Sequence, residues 1–158
     1  MSTRQKPRAA AEPQDALPFA CTIEVRDACL CLHVQRAARA LARRFDEALR
    51  PVDLTNGQFS LLTSLNRPEP PTIGSVANLL AMDRTTLTAN LKPLERRGLL
   101  KIAVDKQDKR SRRLIITAAG RALLNKAYPI CKETHVGVEF LIKRGSAEGL
   151  RKALRSLS

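Results

Sequence analysis

Tryptophan is absent from this chain of 158 residues, tyrosine occurs once and phenylalanine four times. A core so poor in rings must be filled by Leu, Ile, Val and Ala, the side chains that interdigitate when helices pack on helices. Long apolar runs are missing as well. No stretch approaches the roughly 20 residues that span a bilayer. The first 18 residues carry Arg4, Lys6 and Arg8 without the apolar segment of a secretory signal. A cytoplasmic protein without membrane contact is therefore expected. Cysteines stand at 21, 29, 31 and 131, with no pair of CxxC motifs. That excludes a zinc ribbon, and a disulfide scaffold is not expected in a helical chain of this kind. Beside only His33 and His135, the thiols form no metal site, and no cofactor is expected.

Acidic residues are outnumbered, 15 against 28 Lys and Arg, for a net charge of +13. Such an excess selects polyanionic partners, duplex DNA or RNA foremost. It is also concentrated. Between Asp83 and Arg113 ten basic residues stand against four acids.

Residues 1–18 are polar and proline-containing and read as a flexible arm. From Thr22 to Leu49 the pattern predicts one long helix. Cys31, Val34, Ala38, Leu41, Phe45 and Ala48 recur at alternating spacings of three and four, a narrow stripe that wants a partner helix. Pro51 ends the run. Thr55 then caps a helix bearing Phe59, Leu61, Leu62 and Leu65, and a proline-rich loop follows to Pro71. Thr72 caps a short helix with Ile73, Val76, Leu79 and Leu80 inward. Asp83 caps the next, which ends at Gly98.

Past Gly98 the period changes from helix to strand. Leu100, Ile102 and Val104 alternate with Lys101 and Ala103, and after a charged turn Ser111–Thr117 is rich in β-branched residues, so a hairpin is expected. Thr117 caps a further helix carrying Leu123 and Leu124, whose end is obscured by Pro129 and Gly137. Ser146 caps a last helix with Leu150, Leu154 and Leu157. The fold class is mainly α with a small β-hairpin wing. The expected organisation is an arm (1–18), a dimerisation helix (19–54), a winged helix-turn-helix lobe (55–117) and C-terminal helices completing the dimer region (118–158), one compact domain overall.

The segment Thr72–Gly98 divides as a groove-reading helix must. Leu87, Leu91 and Leu94 share one face. Thr85, Thr88, Ala89 and Lys92 share another, offering small or hydrogen-bonding side chains to base edges, with Thr86 beside them. Arg84, near the helix start, can reach a guanine edge or a phosphate. In the wing, Arg110 and Arg112 alternate onto one face and suit the narrow minor groove, with Lys109 adjacent. Arg113 falls on the other side, as a phosphate or structural contact. Asp108 has the wrong sign for DNA, and its expected role is to hold an arginine fork in position.

These residues carry a resemblance. The run from Leu80 to Gly98 (LAMDRTTLTANLKPLERRG), Asp108–Arg113 (DKRSRR) and Ile116–Gly120 (ITAAG) are similar to the recognition helix, the wing with its Asp-x-Arg element and the Leu-Thr-x-x-Gly lead-in of the MarR family, the multiple antibiotic resistance regulators. Leu49-Arg-Pro and Gln58-Phe-Ser-Leu-Leu resemble the end of the family's first helix and its second. The resemblance covers roughly residues 22–128, and the stretch from Cys131 to Lys143 follows the family pattern poorly. It implies a homodimer whose first and last helices intertwine, binding a palindromic operator, usually as a repressor, with release by a small-molecule effector or by oxidation.

Sensing chemistry has four candidates. Cys31 lies on the stripe, in a place similar to the first-helix cysteine of the family's organic-hydroperoxide branch. Cys29 lies about 200° round a continuous helix from it, too far for a disulfide without unwinding. Cys131 can resolve a sulfenic acid across a dimer, and His33 can line a ligand pocket. That branch holds its thiol with tyrosines, whereas this chain has Tyr128 alone. Two other readings compete: a basic winged-helix protein that coats nucleic acid without sequence preference, and a thiol enzyme. The second lacks any His or acid placed as a base for Cys29 or Cys31.

Overall fold

The computed structural model describes residues 16–157, so most of the expected arm lies outside it. Helices dominate, in the order α1 (Phe19–Ala28), α2 (Leu30–Leu49), a 3-10 turn at Arg50–Val52, α3 (Asn56–Leu65), α4 (Ile73–Leu79), α5 (Arg84–Arg96), β1 (Leu100–Val104), β2 (Arg112–Ile116), α6 (Ala118–Glu139) and α7 (Ala147–Arg155). The chain divides into two compact units, the first ending at Ala38 and the second beginning at Arg39. The boundary thus falls inside the expected dimerisation helix, where a single compact domain was expected.

In the first unit, the one long helix expected from Thr22 is two. Cys29 is extended (φ −74°, ψ 101°), and its amide still closes α1 on the Val25 carbonyl. Its Sγ accepts from the Leu32 amide at 3.4 Å, the hydrogen bond a serine or aspartate makes at a helix start. His33 Nε2 donates to the Asp27 carbonyl across the same break, at 3.1 Å. The stripe periodicity registers amphipathic faces and is blind to a one-residue interruption. The angle of 200° between Cys29 and Cys31 consequently does not apply.

In the second unit a leucine core gathers around Leu49, Leu61, Leu62, Leu65, Leu87, Leu91, Leu94, Leu100 and Leu114, each almost wholly shielded from solvent. Every capping residue read from the sequence is found at its post. Thr55 and Gln58 exchange bonds as a capping box, and Thr72, Asp83, Thr117 and Ser146 each accept from the amide three residues on. One inward assignment fails. Leu79 is 56% exposed, and Ala77 is buried in its stead beside the expected Val76, because a seven-residue helix turns too little surface inward to seat four large side chains.

α4 and α5 end alike. At α4 the Met82 amide bonds the Ala77 carbonyl and the Ala81 amide the Asn78 carbonyl. At α5 Leu99 bonds Leu94 and Gly98 bonds Glu95. Both are Schellman closures, with a left-handed residue just past the helix. That residue is Gly98 (φ 70°) at α5 but Ala81 (φ 50°) at α4.

The hairpin is antiparallel, pairing Leu100 with Ile116 through to Val104 with Arg112. Thr117 locks its base. Its hydroxyl donates to the Gly98 carbonyl (2.7 Å) and accepts from Gly120 (3.0 Å), and its amide bonds Leu99. α6 then runs unbroken through Pro129 and Gly137. Burial of Leu124, Ala127 and Cys131 on one side overrides the bond that proline forfeits.

Candidate nucleic-acid interface

The α4–turn–α5 segment presents the face the sequence assigns. Leu87, Leu91 and Leu94 are buried, while Thr85, Thr86, Ala89 and Lys92 are exposed and Thr88 half-buried. Not all of these hydroxyls are equally available. Thr86 gives both its amide (2.8 Å) and its hydroxyl to Asp83, whose carboxyl is held below the usual carboxylate range chiefly by that hydroxyl. Thr88 donates to the Arg84 carbonyl one turn back, at 2.7 Å, which leaves its oxygen lone pairs for a donor. Thr85, Ala89 and Lys92 carry the open part of the face.

The wing's arginines separate by role. Arg112 Nη1 donates to the carbonyls of Lys109 (3.0 Å) and Ser111 (3.3 Å), so its fork lies back along the turn. Arg110 is exposed, and its guanidinium makes no hydrogen bond or ion pair among the described residues. Arg113 is a structural residue. It pairs with Asp105 and donates to the Pro70 carbonyl at 2.9 Å.

Asp108 does not hold an arginine fork. Its carboxylate accepts from the Arg110 amide (3.0 Å) and the Ser111 hydroxyl (2.8 Å), folding the turn as aspartates do when they bond the backbone two residues on. The guanidinium clamp belongs to Asp105, which sequence reasoning passed over. Asp105 is buried, and its carboxyl is held below the usual range by the Gln107 amide first and the Arg113 fork second. The only sequence signal was an acid just past the end of a strand, and charge alone does not say which of two nearby aspartates turns inward.

Helix and wing meet. Arg84 and Thr88 from α5, Arg110, Ser111 and Arg112 from the wing, and Thr72, Ile73 and Gly74 from the start of α4 line one concavity of about 300 Å³. No acid is among them. Gly74 was not foreseen. A Cβ there would lie 3.2 Å from Arg84 Nη2 and 3.8 Å from Cζ, so a side chain at this position would push the guanidinium off α4 by a few tenths of an ångström.

The sensing candidates scatter. Cys29 is half-buried and Cys31 exposed, its sulfur accepting from Gln35 at 3.2 Å. Cys131 is buried in the second unit, and burial pushes its thiol up, away from the thiolate that reacts. His33 is engaged at the helix break. Among the described residues no group of three or more His, Cys, Asp and Glu could hold a metal ion, and no helix is long and apolar enough to cross a membrane.

A family model described as MarR matches residues 54–111, the span from the start of α3 to the wing turn. The HTH-type transcriptional regulator TtmR of Methylorubrum extorquens is 34% identical over 100 residues, which cover 63% of this chain and 51% of that protein. The chain thus spans about half the length of that relative. The organic hydroperoxide resistance transcriptional regulator of Bacillus subtilis is 29% identical over 101 residues, 64% of this chain and 69% of its own. The transcriptional regulator MosR of M. tuberculosis, solved in complex with DNA, superposes with a TM-score of 0.72 at 37% identity, covering 82% of this chain and 92% of that one. Helix-turn-helix, wing and relatives agree: the chain belongs to the MarR family.

Proposed function

We propose that the protein is a sequence-specific, homodimeric DNA-binding transcription regulator, a repressor that leaves its palindromic operator when a small ligand binds or a thiol is oxidised. One observation carries the reading: Arg84 and Thr88 of α5 and the wing arginines Arg110 and Arg112 border a single cationic, acid-free concavity. A recognition helix in the major groove and a wing over the adjoining minor groove need that adjacency. Two-fold pairing sets two such helices about 34 Å apart, one turn of duplex. The dimer is supported by apolar side chains left in solvent: Val34 (40% exposed) and Leu41 (38%) on the α2 stripe, and Leu150 and Leu154 on α7. Phe45, further along the stripe, is instead buried against His135 of α6, ring centroids 4.6 Å apart.

Release has two supports. A groove of about 710 Å³ between α2 and α6 sets Arg43 and Arg44, with Glu47, beside Ala40, Ala48 and Val138, two cations against one acid and an apolar floor for a small aromatic acid. For oxidation, Cys29 stands at a helix junction that its own sulfur caps, and the Bacillus subtilis relative is named for organic hydroperoxide resistance. The test is selection of bound sequences from random duplex DNA, repeated with aromatic acids and with cumene hydroperoxide. A recovered inverted repeat bound ~10³-fold over random duplex supports the reading. Equal affinity for all duplexes favours a coating protein and overturns it.

A further inference from the structure

The geometry points to Arg84 as half of a phosphate clamp: its guanidinium and that of Arg110 close on one backbone phosphate at the seam between recognition helix and wing. The inference rests on the DNA-binding reading and decides a point it leaves open, whether Arg84 reads a base or holds the backbone.

Three observations carry it. Arg84 does not extend from the tip of α5 but lies back over Gly74, with Nη2 at 3.2 Å, Cζ at 3.8 Å and Nε at 3.9 Å from the place a Cβ would take. Its fork therefore flanks α4, the helix that in this motif crosses the sugar–phosphate backbone rather than entering the groove. Second, neither the Arg84 nor the Arg110 guanidinium has a hydrogen-bond or ion-pair partner among the described residues, although both residues line the same concavity of about 300 Å³ without an acid among its lining residues. Two unpaired guanidinium groups there repel one another until an anion sits between them. Third, the fork geometry suits phosphate oxygens two at a time, and the Thr72 hydroxyl on the same wall, which accepts from the Ser75 amide and keeps its proton, can donate to a third. A phosphate group is the ligand, and a DNA backbone diester is its source. A free nucleotide is the other source of the same chemistry.

Binding is measured by fluorescence anisotropy against salt, on the selected operator and on random duplex, for the wild type, Arg84→Ala, Arg84→Lys and Gly74→Ala. Arg84→Ala is expected to weaken all sequences by the same factor and reduce the salt slope by about 0.9. Arg84→Lys keeps the slope but binds more weakly than wild type. Gly74→Ala, which crowds the fork without removing charge, also weakens both duplexes alike. Operators carrying one methylphosphonate at a time then locate the contact, since one neutralised position costs the wild type affinity and costs Arg84→Ala nothing further. An altered base preference with the slope intact makes Arg84 a base reader and overturns the clamp. Because the slope is also read on random duplex, loss of operator preference alone sinks the specific-regulator reading and leaves the clamp standing. Saturable, Arg84-dependent binding of ADP at matched ionic strength overturns the assignment to DNA.

Discussion

Arg113, in β2, reaches across the hairpin to the buried carboxylate of Asp105 and, with the same guanidinium, to the Pro70 carbonyl ahead of α4. One side chain thus ties both strands of the wing to the loop that launches the helix-turn-helix. The Leu114 amide bonds the Pro71 carbonyl at 2.9 Å alongside. The wing is therefore anchored close to its turn as well as at its base, rather than hanging free.

Breaking that tie is expected to loosen the wing first. Asp105→Asn keeps the shape and removes the charge, so the variant should fold, unfold at lower urea than wild type and bind DNA more weakly. The pH dependence follows from the sign of the shift. A carboxyl held below its ordinary value contributes stability that is fully present above the ordinary carboxylate range near pH 4 and is lost as pH falls through the depressed folded value. Urea midpoints between pH 6 and pH 2 should therefore fall less steeply for Asp105→Asn than for wild type. Parallel curves would remove Asp105 from the account of acid sensitivity.

Ala81 occupies the left-handed position that Gly98 occupies one helix later. Ala81→Gly should relieve a Cβ penalty and raise stability by about 1 kcal/mol, net of glycine's greater freedom when unfolded. Thermal unfolding measures it. A drop in stability would mean the turn's strain is not where the backbone places it.

Gly120 tolerates no side chain. A Cβ there would stand 2.1 Å from the Leu99 carbonyl oxygen, which is main chain and cannot swing away. Gly120→Ala is expected to cost about 2 kcal/mol or more, separating α6 from the hairpin base, with the loss visible in urea unfolding.

At the interface the roles divide. Arg110→Ala should flatten the salt slope by about one phosphate's worth, whatever the duplex. Thr88→Ala and Lys92→Ala should change which bases are preferred more than they change non-specific affinity. Uniform loss in the last two would argue against direct readout from that face.

Leu41→Asp tests the pairing of copies. The side chain is 38% exposed in the single chain, so the helix bundle should survive the charge while self-association fails. Sedimentation equilibrium is expected to show dimer for wild type and monomer for the variant, with operator affinity lost in parallel.

What the sequence made legible was whatever chemistry is local. Thr55, Thr72, Asp83, Thr117 and Ser146 cap helices through the amide three residues on, and that needs no knowledge of the fold. Leu87, Leu91 and Leu94 announce their face by spacing alone. Illegible were features that depend on a distant neighbour or on a single residue's dihedral. Gly74 matters because a guanidinium ten residues later lies against it. Asp105 and Asp108 are alike as letters and differ only in which one the strand pair buries. The break at Cys29 leaves the hydrophobic rhythm around it intact, so periodicity runs straight through. Pro129 misled in the opposite sense, since packing along α6 holds a helix that the residue alone argues against.

The frame around α5 is knit from main-chain closures at Ala81 and Gly98 and from the hydroxyl of Thr117, none of which uses the side chains of Thr85, Ala89 and Lys92. Exchanging the outward residues leaves that scaffold untouched. On the proposed reading, the vocabulary of recognised targets can therefore drift across descendants of this gene without endangering the architecture that displays it.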